Sequence, residues 1–421
     1  DNENDHVFNV LDNNVIIAGF TIAGANGSGG VAGVYVGSGV ENILIENNVI
    51  ENNVHGILFD DFSFKCTADN NIVRNSEIDG IYVASLFGAD NIEVINNILD
   101  NIGADGIYVY RGENNVVSGN TVENGGGDGI SIDESTNATV FNNRVENFTN
   151  LSVTGIRLNK AHNSSVDNNR VENCANGIRI YSTNNVSLEN NIVDNNTYYG
   201  ICLTAGDNYI TIQNTTVNNT QDGIYWYLSD NVTLTNNVIV ENVSSDGIRF
   251  ENSDNAKVTA TVRNASGYGI YAENSNNATI SSCTVDSAGI DGIFLYNSHS
   301  NTITNNIVDN SHSEGINIYY SNYNTITNNI VENSSSVGLD LYYSDNNTVE
   351  NDNFRYNWYG IYMDSADNNT FVTNIVENSD LEGVYIESSE NNRFILNTID
   401  NNGSDGIYMY DARNTVLENN L

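Results

Sequence analysis

Residues 301–310 read NTITNNIVDN, and residues 324–333 read NTITNNIVEN, the second copy starting 23 residues after the first. Eight and then nine residues before the first copy stand an isoleucine and the glycine of GIFL (292–295). The same pairing of phrase and glycine recurs along the chain. The glycine falls at positions 33, 56, 80, 106, 129, 155, 177, 200 and 223, and then at 247, 269, 292, 315, 338, 360, 383 and 406. Neighbouring anchors are 22 to 26 residues apart. After each anchor the first and third residues are apolar and the second is usually Tyr, Arg or another polar type, as in Ile81/Val83 and Ile224/Trp226. Alternation of that kind is the period of a strand with one buried face. A second and a third apolar point precede each glycine, as in Ile303 and Ile307–Val308, separated by Asn, Ser and Asp corners. Each repeat therefore predicts three short strands split by turns.

Asn, Gly and β-branched residues are weak helix formers, which disfavours a helical solenoid, and the leucine signature of a leucine-rich repeat is missing. Three strands per turn of 22–26 residues, stacked in parallel, predict an all-β fold: one right-handed parallel β-helix of about 17–18 coils, continuous over residues 1–421 and without separate caps. Asparagine suits such corners, because it tolerates the left-handed backbone and its amide can both donate and accept between stacked coils. Asn71, Asn97, Asn120, Asn191, Asn214, Asn306, Asn329 and Asn397 each stand nine residues before an anchor and predict a ladder; Ala260 and Cys283 interrupt it. Proline is absent, as befits a backbone that donates ladder hydrogen bonds nearly everywhere.

The repeat resembles the Asn-rich, surface-protein type of right-handed parallel β-helix proteins in the pectate-lyase-like superfamily. That version is common in secreted bacterial and archaeal surface proteins and in periplasmic copper-processing β-helix proteins. The resemblance covers essentially the whole chain and implies the fold. The superfamily hosts lyases, hydrolases, epimerases, adhesins and passive spacers, so it does not choose a function.

The net charge of -40 argues against nucleic acid and against anionic membranes as partners. No apolar run of about 18 residues is present, so no membrane insertion by a helix is expected. The chain opens at Asp1 without a charged-then-apolar leader, and the expectation is an extracellular or cell-surface protein whose secretion signal is gone. Cys66, Cys174, Cys202 and Cys283 lie far apart and read as buried free thiols. Glycosylation sequons at Asn137, Asn185, Asn231, Asn277 and Asn346 would permit a glycoprotein.

Function is sought on the face that the second and fourth residues after each glycine present. Tyr82, Tyr108, Tyr110, Tyr225, Tyr227, Tyr362, Tyr385 and Tyr408 form a candidate glycan-binding surface there, or equally a cross-strand packing device. Arg157 and Arg179 should stack one coil apart near Asp133, the arrangement nearest to a polysaccharide lyase's base and acid. Just before the anchors, Asp79, Asp105, Asp128, Asp222 and Asp246 form a row at coil spacing. It is either a calcium site with oxygen ligands or a set of solvent-facing caps on backbone amides. Calcium is the one cofactor this pattern suggests. Asp60–Asp61 lacks the partner a glycosidase needs, and the proline-containing epimerase signature is absent. His6, His55, His162, His299 and His312 show no ligand-like spacing for copper or zinc.

Residues 6–11 read as one more anchor strand with Val7 in place of glycine, and the chain stops near the phase at which it starts. That predicts either a segment of a longer protein or end-to-end self-association into a filament. Regular coils without long insertions favour a non-catalytic structural β-helix. The competing reading is a carbohydrate-active protein, either a lyase or a glycan-binding module or adhesin that uses the Tyr/Arg/acidic face.

Overall fold

The computed structural model describes residues 5–27, 30–83 and 86–421; the opening DNEN and part of the glycine-rich stretch before Gly33 lie outside these. The described residues are all strand, bridge, turn and bend, with no helix. The chain is a right-handed parallel β-solenoid in two compact units, Asp1–Thr216 and Val217–Leu421. Each unit carries nine glycine-type strands among its described residues, Phe8–Val10 through Tyr199–Thr204 in the first and Asp222–Tyr227 through Ile407–Tyr410 in the second. Within each unit these strands pair in parallel with the next coil's, residue for residue. Ile81 faces Ile107, which faces Ile130, and Ile293 faces Ile316, which faces Leu339. Phe8 pairs with Val34, so Val7 does occupy a glycine position. The second and third strands of each coil, such as Val116–Ser118 and Thr121–Gly125, pair likewise with their counterparts.

Strict coil-on-coil register makes each interior position a stack of like residues. Ile81, Ile107, Ile130, Ile156, Ile178 and Ile201 are all fully buried in one such stack. In the second unit Trp226 lies flat on Phe250 at 4.7 Å and Phe371 on Phe394 at 4.4 Å, both pairs inside the winding. The anchor glycine is a matter of space. A Cβ on Gly106 would stand 2.5 Å from the carbonyl oxygen of Gly129 and 2.2 Å from a methyl of Val122, so no larger residue fits between coil and core.

The doubled asparagines divide two tasks. Asn305 turns the corner with φ of 57° and points outward, whereas Asn306 is buried. The Asn306 oxygen accepts the Cys283 amide at 2.8 Å, and its Nδ2 donates to the carbonyl of Ile280 at 3.0 Å. Asn48, Asn71, Asn97, Asn120, Asn143, Asn169 and Asn191 repeat this rung through the first unit. Asn214, which was expected in the ladder, is instead an exposed corner residue with φ of 47°. Thr215 takes the rung and its hydroxyl accepts the Asn191 amide. Counting back from glycine misleads there because the corner before Gly223 is one residue shorter. The fixed ruler is the buried valine two residues after the rung, Val217. Ala260 and Cys283 do interrupt the ladder, joined by Val238 at the same register position.

Other corners use the same device. From the Ser229 amide onward, Ser253, Ser275, Ser298, Ser321 and Ser344 each offer the hydroxyl oxygen to the serine amide of the preceding coil. One rung is chemically different. Asp352 stands in the asparagine series, accepting the Asn329 amide at 2.6 Å with one oxygen, while its other oxygen is buried with no hydrogen-bond partner. Burial, assisted by the nearby Glu350 carboxylate, pushes its carboxyl up to about 7.

Two outcomes follow for thermal unfolding. Asn306→Ala strands a buried amide and a buried carbonyl and is expected to cost about 2–4 kcal/mol, whereas Asn305→Gly keeps its backbone conformation and is expected to be near neutral; equal losses would refute the division of labour. Because Asp352 holds its proton more tightly folded than unfolded, its contribution is complete below about pH 4 and is lost as pH rises through about 7. Asp352→Asn is therefore expected to raise Tm clearly at pH 8 and little at pH 5, and equal gains at both would contradict the protonated rung.

Candidate functional site

The outward residues of the glycine strands do form stacks. Tyr82 lies on Tyr108 at 5.3 Å with planes 4° apart, and Tyr108 meets Tyr110 at 6.0 Å. Tyr362, Tyr385 and Tyr408 stack at 5.0 Å intervals. Tyr225 carries the Arg249 guanidinium 5.8 Å from its ring centre, and Tyr227 is exposed. Stacks of this spacing simply follow from the register.

A hollow does form where the stack breaks. Along the second unit the outward row reads Tyr271, Phe294, Asn317, Asp340 and Tyr362, so two short side chains follow two rings. Tyr268, in the position before the glycine where other coils carry Asp, packs 5.0 Å from Tyr271 and 5.2 Å from Phe294. With Tyr296 and Tyr319, these rings wall a space of about 410 Å³ whose floor holds Asp291, Glu314 and Asn317. Tyr271, Phe294 and Tyr319 hold the outward positions expected from the repeat but fall outside the candidate glycan-binding set, and Tyr268 is not on those positions. The step from large to small side chains at Asn317 was the signal to look for.

The floor is an acid pair that shares a proton. Asp291 is only 3% exposed; burial and a hydrogen bond with Glu314 push its carboxyl up to about 8. Burial would raise Glu314 as well, but hydrogen bonds from Asp291, Ser313 and Ser336 outweigh it, and Glu314 stays ionised. Asn317 Nδ2 donates to Asp291 at 3.0 Å, while Asn317 Oδ1 and Asp340 Oδ1 are buried without partners. The site thus offers apolar ring faces beside a fixed set of hydrogen-bonding groups, the composition of a small-molecule pocket.

The row before the glycines is a series of caps, and it is buried rather than facing solvent. Asp79 Oδ1 accepts the Asp105 amide, Asp105 Oδ1 the Asp128 amide and Asp128 Oδ1 the Thr154 amide, at 3.1, 2.7 and 2.7 Å. Asp222 and Asp246 do the same for Asp246 and Tyr268. Burial, then the neighbouring Asp128, pushes Asp105 up to about 7. Among the described residues no three of His, Cys, Asp and Glu gather as a metal ion would require.

Arg157 and Arg179 are direct register partners, as expected. Arg157 Nε binds Asp128 at 2.5 Å and Nη2 binds Ser131 at 2.8 Å, while Asp133 accepts from Asn159 instead of joining them. Burial would lower Arg157, but the Asp128 carboxylate outweighs it, so its guanidinium stays protonated and has no proton-abstracting character. Asp60 and Asp61 are engaged separately, by the Tyr35 hydroxyl and the Phe87 amide. The sequon residues Asn137, Asn185, Asn231, Asn277 and Asn346 all take positive φ, Asn185 within the strand Asn184–Glu189 and the others just before a second strand, and all but Asn231 are exposed.

The softer ligand types are committed elsewhere. Nδ1 of His6, His55, His162 and His299 each accepts a backbone amide, from Ala32, Asp79, Asn184 and Asn322. All four cysteines are free and buried, and burial pushes the Cys174 and Cys283 thiols up to about 12.

Among solved structures, the chain resembles the A-module of mannuronan C-5 epimerase AlgE4 from Azotobacter vinelandii at 14% identity, covering 63% of this chain and 86% of that one, with a TM-score of 0.34. A GH87 α-1,3-glucanase catalytic unit from Streptomyces thermodiastaticus matches at 14% identity over 73% and 63%, with a TM-score of 0.42. The receptor-binding domain of the siphovirus 9NA tailspike matches at 11% identity over 75% and 70%, also with 0.42. No curated protein matches in sequence. A right-handed β-helix region model matches residues 84–239, and the model for periplasmic copper-binding protein (NosD) matches 1–155, 240–380 and 359–421. The NosD matches together span well over half of the chain, and the chain belongs to that family of parallel β-helix repeat proteins.

Proposed function

We propose that this protein is a non-catalytic glycan-binding β-helix that works outside the cytoplasm, and that its site is the aromatic hollow between Tyr268 and Tyr319. The observation that carries the reading is the pairing of ring walls with a polar floor of Asp291, Glu314 and Asn317. A pyranose has apolar C–H faces and a polar rim of hydroxyls. Tyr271 and Phe294 suit the faces, and Asp291, Glu314 and Asn317 suit the rim. The floor keeps one negative charge, which favours neutral sugars over acidic ones.

Binding without cleavage is the better fit for this floor. Glycosidase carboxyls stand about 5 Å or more apart so that a sugar carbon or a water can enter between them, whereas Asp291 and Glu314 are hydrogen-bonded to each other. The coils that bear the site are wound like their neighbours, without an inserted loop to bring further groups over it. This reading keeps the non-catalytic character inferred from the regular repeat and gives the surface a ligand. The family's description as periplasmic supports the location. For its copper, no group of three His, Cys, Asp or Glu gathers among the described residues, four of the five histidines give Nδ1 to the backbone, and the thiols are buried and apart.

Calorimetric titration with neutral oligosaccharides (cello-, xylo- and malto-hexaose) is expected to show binding that Tyr271→Ala and Phe294→Ala each weaken at least tenfold, with no new reducing ends formed. Tyr385→Ala, which does not line this hollow, is expected to bind as the parent does. Unchanged affinity in the first two variants, or no binding by any of the three sugars, would overturn the assignment.

A further inference from the structure

The first unit holds a second arrangement that its own fold leaves incomplete. On this acidic chain arginines are generally neutralised by a carboxylate across the coil step, as Arg74 is by Glu51 and Arg111 by Glu134. Arg179 makes no direct ion pair among the described residues, feeling the Asp128 and Asp207 carboxylates only from beyond contact, and its Nε is buried without a hydrogen-bond partner. Burying an unpaired donor costs about 1–3 kcal/mol, more when it is charged. The next residue in its outward row is Cys202, short and buried, which leaves room beside the guanidinium.

Two further polar atoms nearby are also unsatisfied. Asn159 gives its Nδ2 to Asp133, but its Oδ1 is buried without a partner, and so is Thr204 Oγ1. Asn159, Tyr181 and Thr204 are successive register partners, one position pair along from Arg157, Arg179 and Cys202. Arg157, Asn159, Arg179 and Tyr181 line a hollow of about 220 Å³ with the Tyr181 ring, 41% exposed, at its edge. Arg157 is held in place by Asp128 and Ser131, so this wall is rigid before any ligand arrives.

We propose that this hollow binds the carboxylate of an acidic sugar. The unpaired guanidinium calls for an anion, and a planar carboxylate matches its fork of donors. The unpaired Asn159 oxygen calls for a donor on the same ligand, which a neighbouring sugar hydroxyl supplies. Tyr181 offers a ring to the sugar face. A uronate residue combines all three, and the site is separate from the neutral-sugar hollow in the second unit, so neither assignment rests on the other.

The test is calorimetric titration of the intact protein with galacturonate and tetragalacturonate, each against its neutral counterpart, galactose and galactotetraose. The monomer and the oligomer report whether one residue or a chain is held. Uronate binding is expected, at least tenfold tighter than the neutral counterpart, lost at least tenfold in Arg179→Gln and partly retained in Arg179→Lys. Tyr385→Ala, which lines neither hollow, is expected to leave it unchanged. Circular dichroism and Tm of Arg179→Gln check its fold. Uronate affinity unaltered by Arg179→Gln, equal affinity for the neutral sugars, or no uronate binding at all would each overturn the proposal.

Discussion

At every corner of a coil the backbone leaves the strand ladder, and an amide there must find an oxygen on the neighbouring coil. That requirement organises this protein. The Cys283 amide finds Asn306, the Ser253 amide finds Ser275, and the Asp128 amide finds Asp105. Each solution fixes the register of two coils, and fixed register turns every other position into a column of like residues. The isoleucine core, the crowded anchor glycines and the stacked surface tyrosines all follow from it. An unpaired buried amide costs enough that the corner residues are confined to Asn, Ser, Thr and Asp over long runs.

Carboxylates accept this duty on different terms from amides. Asn rungs both accept and donate, whereas Asp352 and Asp105 accept only, unless they keep a proton. Burial makes them keep it, which ties part of this fold's stability to pH. The same effect lowers the charge that stacked acid residues such as Asp105 and Asp291 carry on a chain of net charge -40.

The winding was legible in the sequence because it rests on periodicity. Glycine, an alternating triplet and two further apolar points recur often enough to count strands and place the first coil at Val7. The Asn ladder was legible too, except where corner length varied, as at Asn214 and Thr215. What periodicity hid was the site, because a site is a departure from the column. The tyrosines named from sequence are those that repeat and therefore fill their own surface. The hollow instead needs Tyr268 in place of an aspartate, and Asn317 and Asp340 where rings would otherwise continue. In the first unit the telling feature was equally a gap: Cys202 beside Arg179, and polar atoms of Asn159 and Thr204 left without partners. Whether an atom has a partner depends on side-chain placement, which repeat counting does not supply.

The phrase NTITNNIVDN is thus one corner and its two strands, with its second asparagine as the rung, and binding chemistry is assigned to the outer face of the glycine strands. Hydroxyl-radical footprinting read by mass spectrometry, with and without a saturating neutral oligosaccharide, tests that assignment most directly. Protection is expected at Tyr268, Tyr271, Phe294, Tyr296 and Tyr319, while the exposed corner residues Tyr209, Tyr323 and Tyr356 react as before. Protection of the corner tyrosines, or an unchanged rate for the five residues of the hollow, would contradict the account.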